Sequence, residues 1–238
     1  MHNPYENPYP AVGTFEQAEA SRRFLQRVYG WMFFGLALTA LMAYYTVSEP
    51  GLLRAVVGNQ AVFFGLIIGE LVLVLVISAM IRRLSPAVAS LLFIVYSLLN
   101  GLTLSVILLV YTQESIASAF LVCAAMFGAL SLFGLTTRRS LDGLGAFCTM
   151  GLTGLVVAML VSLFWRNNML EFVINCVGII VFTGLTAYDT RKLKQMSASV
   201  GAEGSVAQSA AILGALTLYL DFINLFLFIL RFMGGRRD

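Results

Sequence analysis

The chain is poor in charge. Of its 238 residues only 11% are Asp, Glu, Lys or Arg, while 59% are hydrophobic and the mean hydropathy is +0.88. A soluble domain carries about 25% charged and roughly 45–50% apolar residues. Too few charges are present to cover a folded surface in water, so the solvent for most of this surface is lipid. Histidine is nearly absent: the single His2 lies in a polar tail, which excludes a histidine metal site and a Ser-His-Asp triad. The three cysteines, Cys123, Cys148 and Cys176, are too few and too scattered for a disulfide framework or a zinc ribbon. Lysine occurs only at Lys192 and Lys194, so the last apolar run offers no Schiff-base lysine and a rhodopsin-like photoreceptor is ruled out. The net charge of +3 is modest and sits in loops, and it gives a nucleic-acid partner no support.

What the chain has in abundance is long apolar stretches. Crossing the hydrocarbon core as a helix takes about 20 mainly apolar residues, and such runs occur near 28–47, 61–81, 86–110, 115–136, 144–164, 172–190 and 209–231. The middle runs are parted by short breaks at Arg82-Arg83-Leu84-Ser85-Pro86, Thr112-Gln113-Glu114 and Thr137-Arg138-Arg139-Ser140. The expected architecture is an all-α integral membrane protein of seven transmembrane helices: a polar, disordered tail over 1–27, a single transmembrane domain over 28–232, and a short basic tail over 233–238. The proline-bearing start, with Pro4, Pro8, Pro10 and three acids, lacks the apolar core of a cleavable signal peptide.

Positive loop residues stay on the cytoplasmic side. With the N-terminus inside, ten basic residues face the cytoplasm: Arg22, Arg23, Arg27, Arg82, Arg83, Arg138, Arg139, Arg191, Lys192 and Lys194. The outer segments hold five: Arg54, Arg166, Arg231, Arg236 and Arg237. A cytoplasmic N-terminus is therefore expected. Small residues at Gly145, Gly151, Gly154 and Ala158 suit close helix contact in the fifth span.

Three acids lie within or at the edge of spans: Glu70, Asp189 and Asp221. An ionised carboxylate at a helix centre costs roughly 2.5–3.5 kcal/mol on insertion scales, so each is expected to face a cavity or a partner. Asp221 falls near the middle of the seventh span, and helical spacing puts Gly214, Thr217, Asp221 and Asn224 on one face of an otherwise greasy helix. Asp189 closes the sixth span, where a negative group opposes the helix macrodipole. Its face continues through Thr186, Phe182, Gly178 and Asn175. If the two helices are neighbours, the carboxyls meet in the membrane. Two carboxyls in contact at low dielectric cannot both ionise cheaply and share a proton, which makes a pH sensor. Fully ionised, they form a hard oxygen site for a divalent cation such as Ca2+. Glu70 is open to three roles: lining the same interior, pairing with an arginine, or staying protonated. Arg82 and Arg83 close the second span on the side of Asp189, and a bridge from one of them would be a gate released by protonation. Arg231, at the far end of the seventh span, either snorkels outward or latches to Glu70.

The run Thr183-Gly184-Leu185-Thr186-Ala187-Tyr188-Asp189-Thr190 and the run Leu213-Gly214-Ala215-Leu216-Thr217-Leu218-Tyr219-Leu220-Asp221-Phe222-Ile223-Asn224-Leu225-Phe226 closely resemble the Bax inhibitor family, the transmembrane Bax inhibitor motif proteins, in its bacterial branch. Val28-Tyr29-Gly30-Trp31-Met32 and Met126-Phe127-Gly128-Ala129 extend the likeness over nearly the whole chain after about residue 22. The resemblance implies a seventh helix wrapped by the first six and a pH-sensitive calcium leak channel of the bacterial inner membrane with no cofactor. It implies an aspartate pair as sensor, matching Asp189 and Asp221, and an arginine near the end of the second helix, Arg82 or Arg83, pairing with the first aspartate in the closed state. Its partners are then lipid, Ca2+ and protons. Some relatives also modulate a membrane-bound AAA protease, which leaves a regulatory protein with structural carboxylates as the rival reading. A proton-coupled cation exchanger is a second rival. An intramembrane aspartyl protease fits worse: Tyr188-Asp189 matches its first motif, but Leu218-Tyr219-Leu220-Asp221 lacks the glycines of its second.

Overall fold

The computed structural model describes residues 12–81, 83–165, 167–200 and 204–235. Among them the chain is helical throughout: α1 (Val12–Ser48), α2 (Pro50–Val57), α3 (Gln60–Met80), α4 (Pro86–Val110), α5 (Gln113–Thr136), α6 (Asp142–Phe164), α7 (Asn168–Val200) and α8 (Ser205–Met233). Seven of these are long and apolar enough to span a membrane, and only the short α2 is not. The breaks between spans carry conventional start signals. Ser85 accepts a hydrogen bond from the Val88 amide at 3.4 Å ahead of Pro86, and Thr112 accepts one from Ser115 at 3.2 Å, so orphan amides at the helix ends are satisfied.

α8 is the centre. Its apolar window is 72% buried, against 39% or less in every other span. It packs directly on α1, α4, α5 and α7, while α3 leans on α4 and α6 leans on α7. Tyr219, Leu218 and Leu225 of α8 are wholly enclosed. Lipid tails are as apolar as leucine, so small residues at close approaches hold such a bundle together. Gly101 of α4 lies against the α1 backbone at Thr39, Gly134 of α5 against the carbonyl of Ala187 on α7, and Gly145 of α6 under the Tyr188 ring. Gly151 meets Val181, but Gly154, expected on the same contact face, has nothing within 4 Å. The small-residue stripe of α6 is therefore interrupted at Gly154, while Ala158 beyond it again packs against the core.

Two helices run further than the hydropathy pattern suggests. α1 starts at Val12, inside the segment expected to be a disordered tail; residues 1–11 lie outside the described part. The reason is tertiary: Phe24 and Val28 are fully buried, and Ser21 meets Ser197 of α7. α7 in turn continues to Val200 rather than stopping near 190. Its basic stretch is held in place because Arg191 donates to the carbonyl of Thr137 and Lys194 to that of Leu135. Both cations cap the C-terminal end of α5, where the helix dipole and unpaired carbonyls favour positive charge. Ser209 at the start of α8 donates to the Leu84 carbonyl at 3.2 Å. The α3–α4, α5–α6 and α7–α8 connections thus gather at one basic end of the bundle. The described part of the C-terminal tail sits at the other, where the Thr112 amide donates to Gly235 at 3.4 Å.

Candidate functional site

α7 and α8 are antiparallel neighbours, and their pairing brings Asp189 opposite Asp221. The two carboxyls lie close enough to interact, and both line a cavity of about 470 Å³ between α6, α7 and α8. Asp221 is 4% exposed, and its Oδ2 is buried without a hydrogen-bond partner. From Ser209, level with the α3–α4 turn, to Asp221 is twelve residues of helix, about 18 Å at 1.5 Å per residue. A further ten residues, about 15 Å, reach Arg231. Asp221 therefore lies near mid-depth of a hydrocarbon core about 30 Å thick, while Asp189 follows residues packed against Gly134 and Gly145, each within a turn of its helix's end at the basic side. Asp189 is not at a helix end: α7 runs eleven residues beyond it. The expected conflict with the macrodipole is absent, and what accounts for Asp189 is its partner across the cavity.

Three of the other polar lining residues share one property. Thr217 donates its hydroxyl proton to the Leu213 carbonyl at 3.1 Å, Asn224 its amide proton to Leu220 at 2.8 Å, and Thr149 its proton to Gly145 at 2.8 Å. Each has spent a donor on its own helix, so the two threonines offer the cavity oxygen lone pairs, and Asn224 its oxygen and one remaining N–H. With two carboxyls this is a hard-oxygen environment, suited to a proton or a hard cation. Among the described residues no cluster of three or more acidic, cysteine or histidine side chains forms a tight metal cage.

The aspartate pair and its α8 stripe lie where the sequence places them, except that Gly214 turns to pack on Leu193 and Val28. The supporting residues divide. Thr186 is wholly buried, bonds the Phe182 carbonyl on its own helix at 2.7 Å, and does not line the cavity. Glu70 does not line it either: it accepts a hydrogen bond from Thr103 of α4 at 2.9 Å. Arg231 forms no latch to it; its guanidinium lies 5.9 Å from the Phe228 ring centre, at a second cavity. Arg83 is exposed at the basic end and makes no ion pair with Asp189. Arg82 lies outside the described residues.

The cation nearest the pair is one the sequence reading missed. Lys192 lines the cavity mouth, interacts electrostatically with Asp189, and has its Nζ 5.9 Å from the Tyr188 ring centre. The signal was present: three residues from Asp189 is the spacing at which helical side chains meet, but it was hidden among positive-inside residues. Tyr188 and Thr149 are further lining residues, the first seated by Gly145.

Seven apolar helices, the last at the centre, enclosing two carboxyls in a largely apolar cavity define an integral membrane protein with acidic groups in its interior. Its sequence relatives make the class specific. The chain belongs to the Bax inhibitor family, matching over residues 21–238 the family described as "Inhibitor of apoptosis-promoting Bax1". It is 48% identical over 231 residues to the inner membrane protein YbhL of Escherichia coli K12, covering 96% of this chain and 99% of that one. It is 44% identical over 217 residues to a protein of Deinococcus radiodurans, covering 91% and 92%. To the protein RP147 of Rickettsia prowazekii it is 42% identical over 222 residues, covering 92% of each.

Proposed function

We propose that this protein is a pH-sensitive cation leak of a bacterial inner membrane, with Ca2+ as cargo and the Asp189–Asp221 pair as its sensor. The observation that carries the reading is the oxygen set of the cavity: the Asp189 and Asp221 carboxyls facing one space, beside the hydroxyl oxygens of Thr149 and Thr217, whose protons are already used on their own helices. A pair of carboxyls in contact holds a shared proton while together. When that proton leaves, the like charges repel unless a cation takes its place. Protons and Ca2+ thus compete for the same oxygens, and loss of the shared proton loosens α7 from α8. Acid favours the protonated, joined pair, and neutral pH leaves the two arrangements in exchange. Lys192 lines the same cavity as Asp189. The inner-membrane location is inferred from the YbhL relative, and a cytoplasmic N-terminus from the excess of basic residues at one end of the bundle.

The test is calcium flux into dye-loaded proteoliposomes, scanned from mildly acidic to mildly alkaline pH, for the native protein against Asp221→Asn and Asp189→Asn. The native flux should depend on pH, Asp221→Asn should lose that dependence, and Asp189→Asn should behave as the protonated pair at every pH. Flux that is absent, or identical in all three proteins, ends the leak reading and leaves the carboxyls structural in a regulatory protein that modulates a membrane-bound protease.

A further inference from the structure

The carboxyl cavity is not the only one in the bundle. A second, of about 710 Å³, opens at the end opposite the basic loops and is lined by Glu171 and Asn175 of α7 and Arg231 of α8, among others. The two cavities share Val156 and Met159 of α6 as lining. On α8 the lining passes from the first cavity at Phe228 to the second at Arg231, one turn of helix. On α7 it passes from Phe182 to Asn175, two turns. The boundary between the two spaces is therefore thin, and the residues at it are aromatic. The rings of Phe182 and Phe228 stack at 5.8 Å with 26° between their planes. The Arg231 guanidinium covers Phe228 from the side of the second cavity. Phe228 is 4% exposed and Phe182 6%.

Gly178 makes this arrangement possible. A Cβ built at that position would stand 2.6 Å from Cδ1 of Phe228, so the ring occupies space that any other residue would fill. An apolar ring pair across a polar path opposes water and hydrated ions, since a narrow apolar passage dewets. The carboxyl pair is itself polar and cannot act in that way.

We propose that the Phe228 ring, stacked on Phe182 and seated over Gly178, is the apolar barrier that separates the carboxyl cavity from the cavity at the Arg231 end. In the leak reading, on which this inference rests for its role in conduction, it is the point that must move before an ion entering at Arg231 reaches Asp221. The carboxyls sense protons, and the ring holds the path closed.

The barrier is tested by thiol accessibility, which does not depend on ion flux. Asn224→Cys places a thiol on the Asp221 side of the ring. Cys176 is changed to Ser, the buried Cys123 and Cys148 are kept, and Met169→Cys in a separate protein marks the Arg231 end. A membrane-impermeant thiosulfonate is applied from that end in oriented vesicles. The Asn224→Cys thiol should react slowly while Phe228 is present, and Phe228→Ala should speed the reaction about tenfold or more. Phe228→Leu, which retains an apolar plug, should stay near the native rate. Gly178→Ala, which forces the ring from its seat without removing it, should also speed labelling and serves if Phe228→Ala does not fold. Fast labelling with Phe228 intact, or no acceleration in either Phe228→Ala or Gly178→Ala, overturns the proposal. Accelerated labelling with no calcium flux in any variant retains the barrier and removes the leak; unaccelerated labelling with flux lost in Asp221→Asn does the reverse.

Discussion

Gly134 offers a direct test of how tightly the sensor is coupled to helix packing. A Cβ at this position in α5 would stand 2.6 Å from the Ala187 carbonyl oxygen and 3.0 Å from Cβ of Thr190 on α7. That is about 0.8 Å short of the closest ordinary van der Waals separation, and the obstructing atom is backbone, so no flexible side chain can swing away. Gly134→Ala must therefore push α7 bodily at the two residues that flank Tyr188 and Asp189. Overpacking of this kind costs about 1–3 kcal/mol. The same helix supplies the control: Gly128 has nothing within 4 Å of its hypothetical Cβ, and Gly128→Ala should be neutral or stabilising by up to about 1 kcal/mol through the unfolded chain. Reversible unfolding in bicelles should separate the two variants by about 2–3 kcal/mol. Calcium flux measured on the same preparations should show a displaced pH profile for Gly134→Ala and a native one for Gly128→Ala. Equal stability of the two variants refutes the packing argument. A destabilised Gly134→Ala with an unmoved pH profile refutes the link between that contact and the carboxyl pair.

The buried hydroxyls beside the centre of α8 make a second prediction. Thr39 of α1 lies 2.9 Å from both the Gly35 and Ser97 carbonyls and 2.6 Å from the Tyr219 hydroxyl. One proton cannot serve all three, so Thr39 donates to carbonyl and Tyr219 donates to Thr39. Tyr219→Phe then removes a donor and should cost only about 0.6 kcal/mol, and no more than about 1.7. Thr39→Val strands the wholly buried Tyr219 hydroxyl and should cost about 1–3 kcal/mol in the same unfolding assay; the reverse order would show that the proton direction is wrong. A third prediction concerns competition at the carboxyl cavity. If protons and Ca2+ contend for the same oxygens, raising Ca2+ must move the pH response of the native protein toward acid, since linkage is reciprocal. Intrinsic tryptophan fluorescence scanned against pH at two calcium concentrations reads this, and coincident curves would place the cation elsewhere.

The membrane class, the number of spans and the presence of Asp189 and Asp221 within apolar runs were legible in the sequence because each follows from a local rule. Twenty apolar residues in a row demand lipid, and a carboxylate among them demands an explanation wherever the rest of the chain lies. Helical spacing likewise identified the Thr217–Asp221–Asn224 face, since α8 is a regular helix through that stretch. Other features depended on contacts between distant segments. Hydropathy ends a span where the residues turn polar. Yet α7 continues past Asp189 because Arg191 and Lys194 find α5 carbonyls to cap, and α1 starts early because Phe24 and Val28 find a buried seat. Glu70 belongs to Thr103 and not to an arginine because α3 leans on α4. The sequence by itself determined that there would be charges in a membrane and which they were. Only the tertiary structure decided which of them meet, since a side chain's partner across a bundle depends on the helix register and crossing of the whole assembly, which no local pattern encodes.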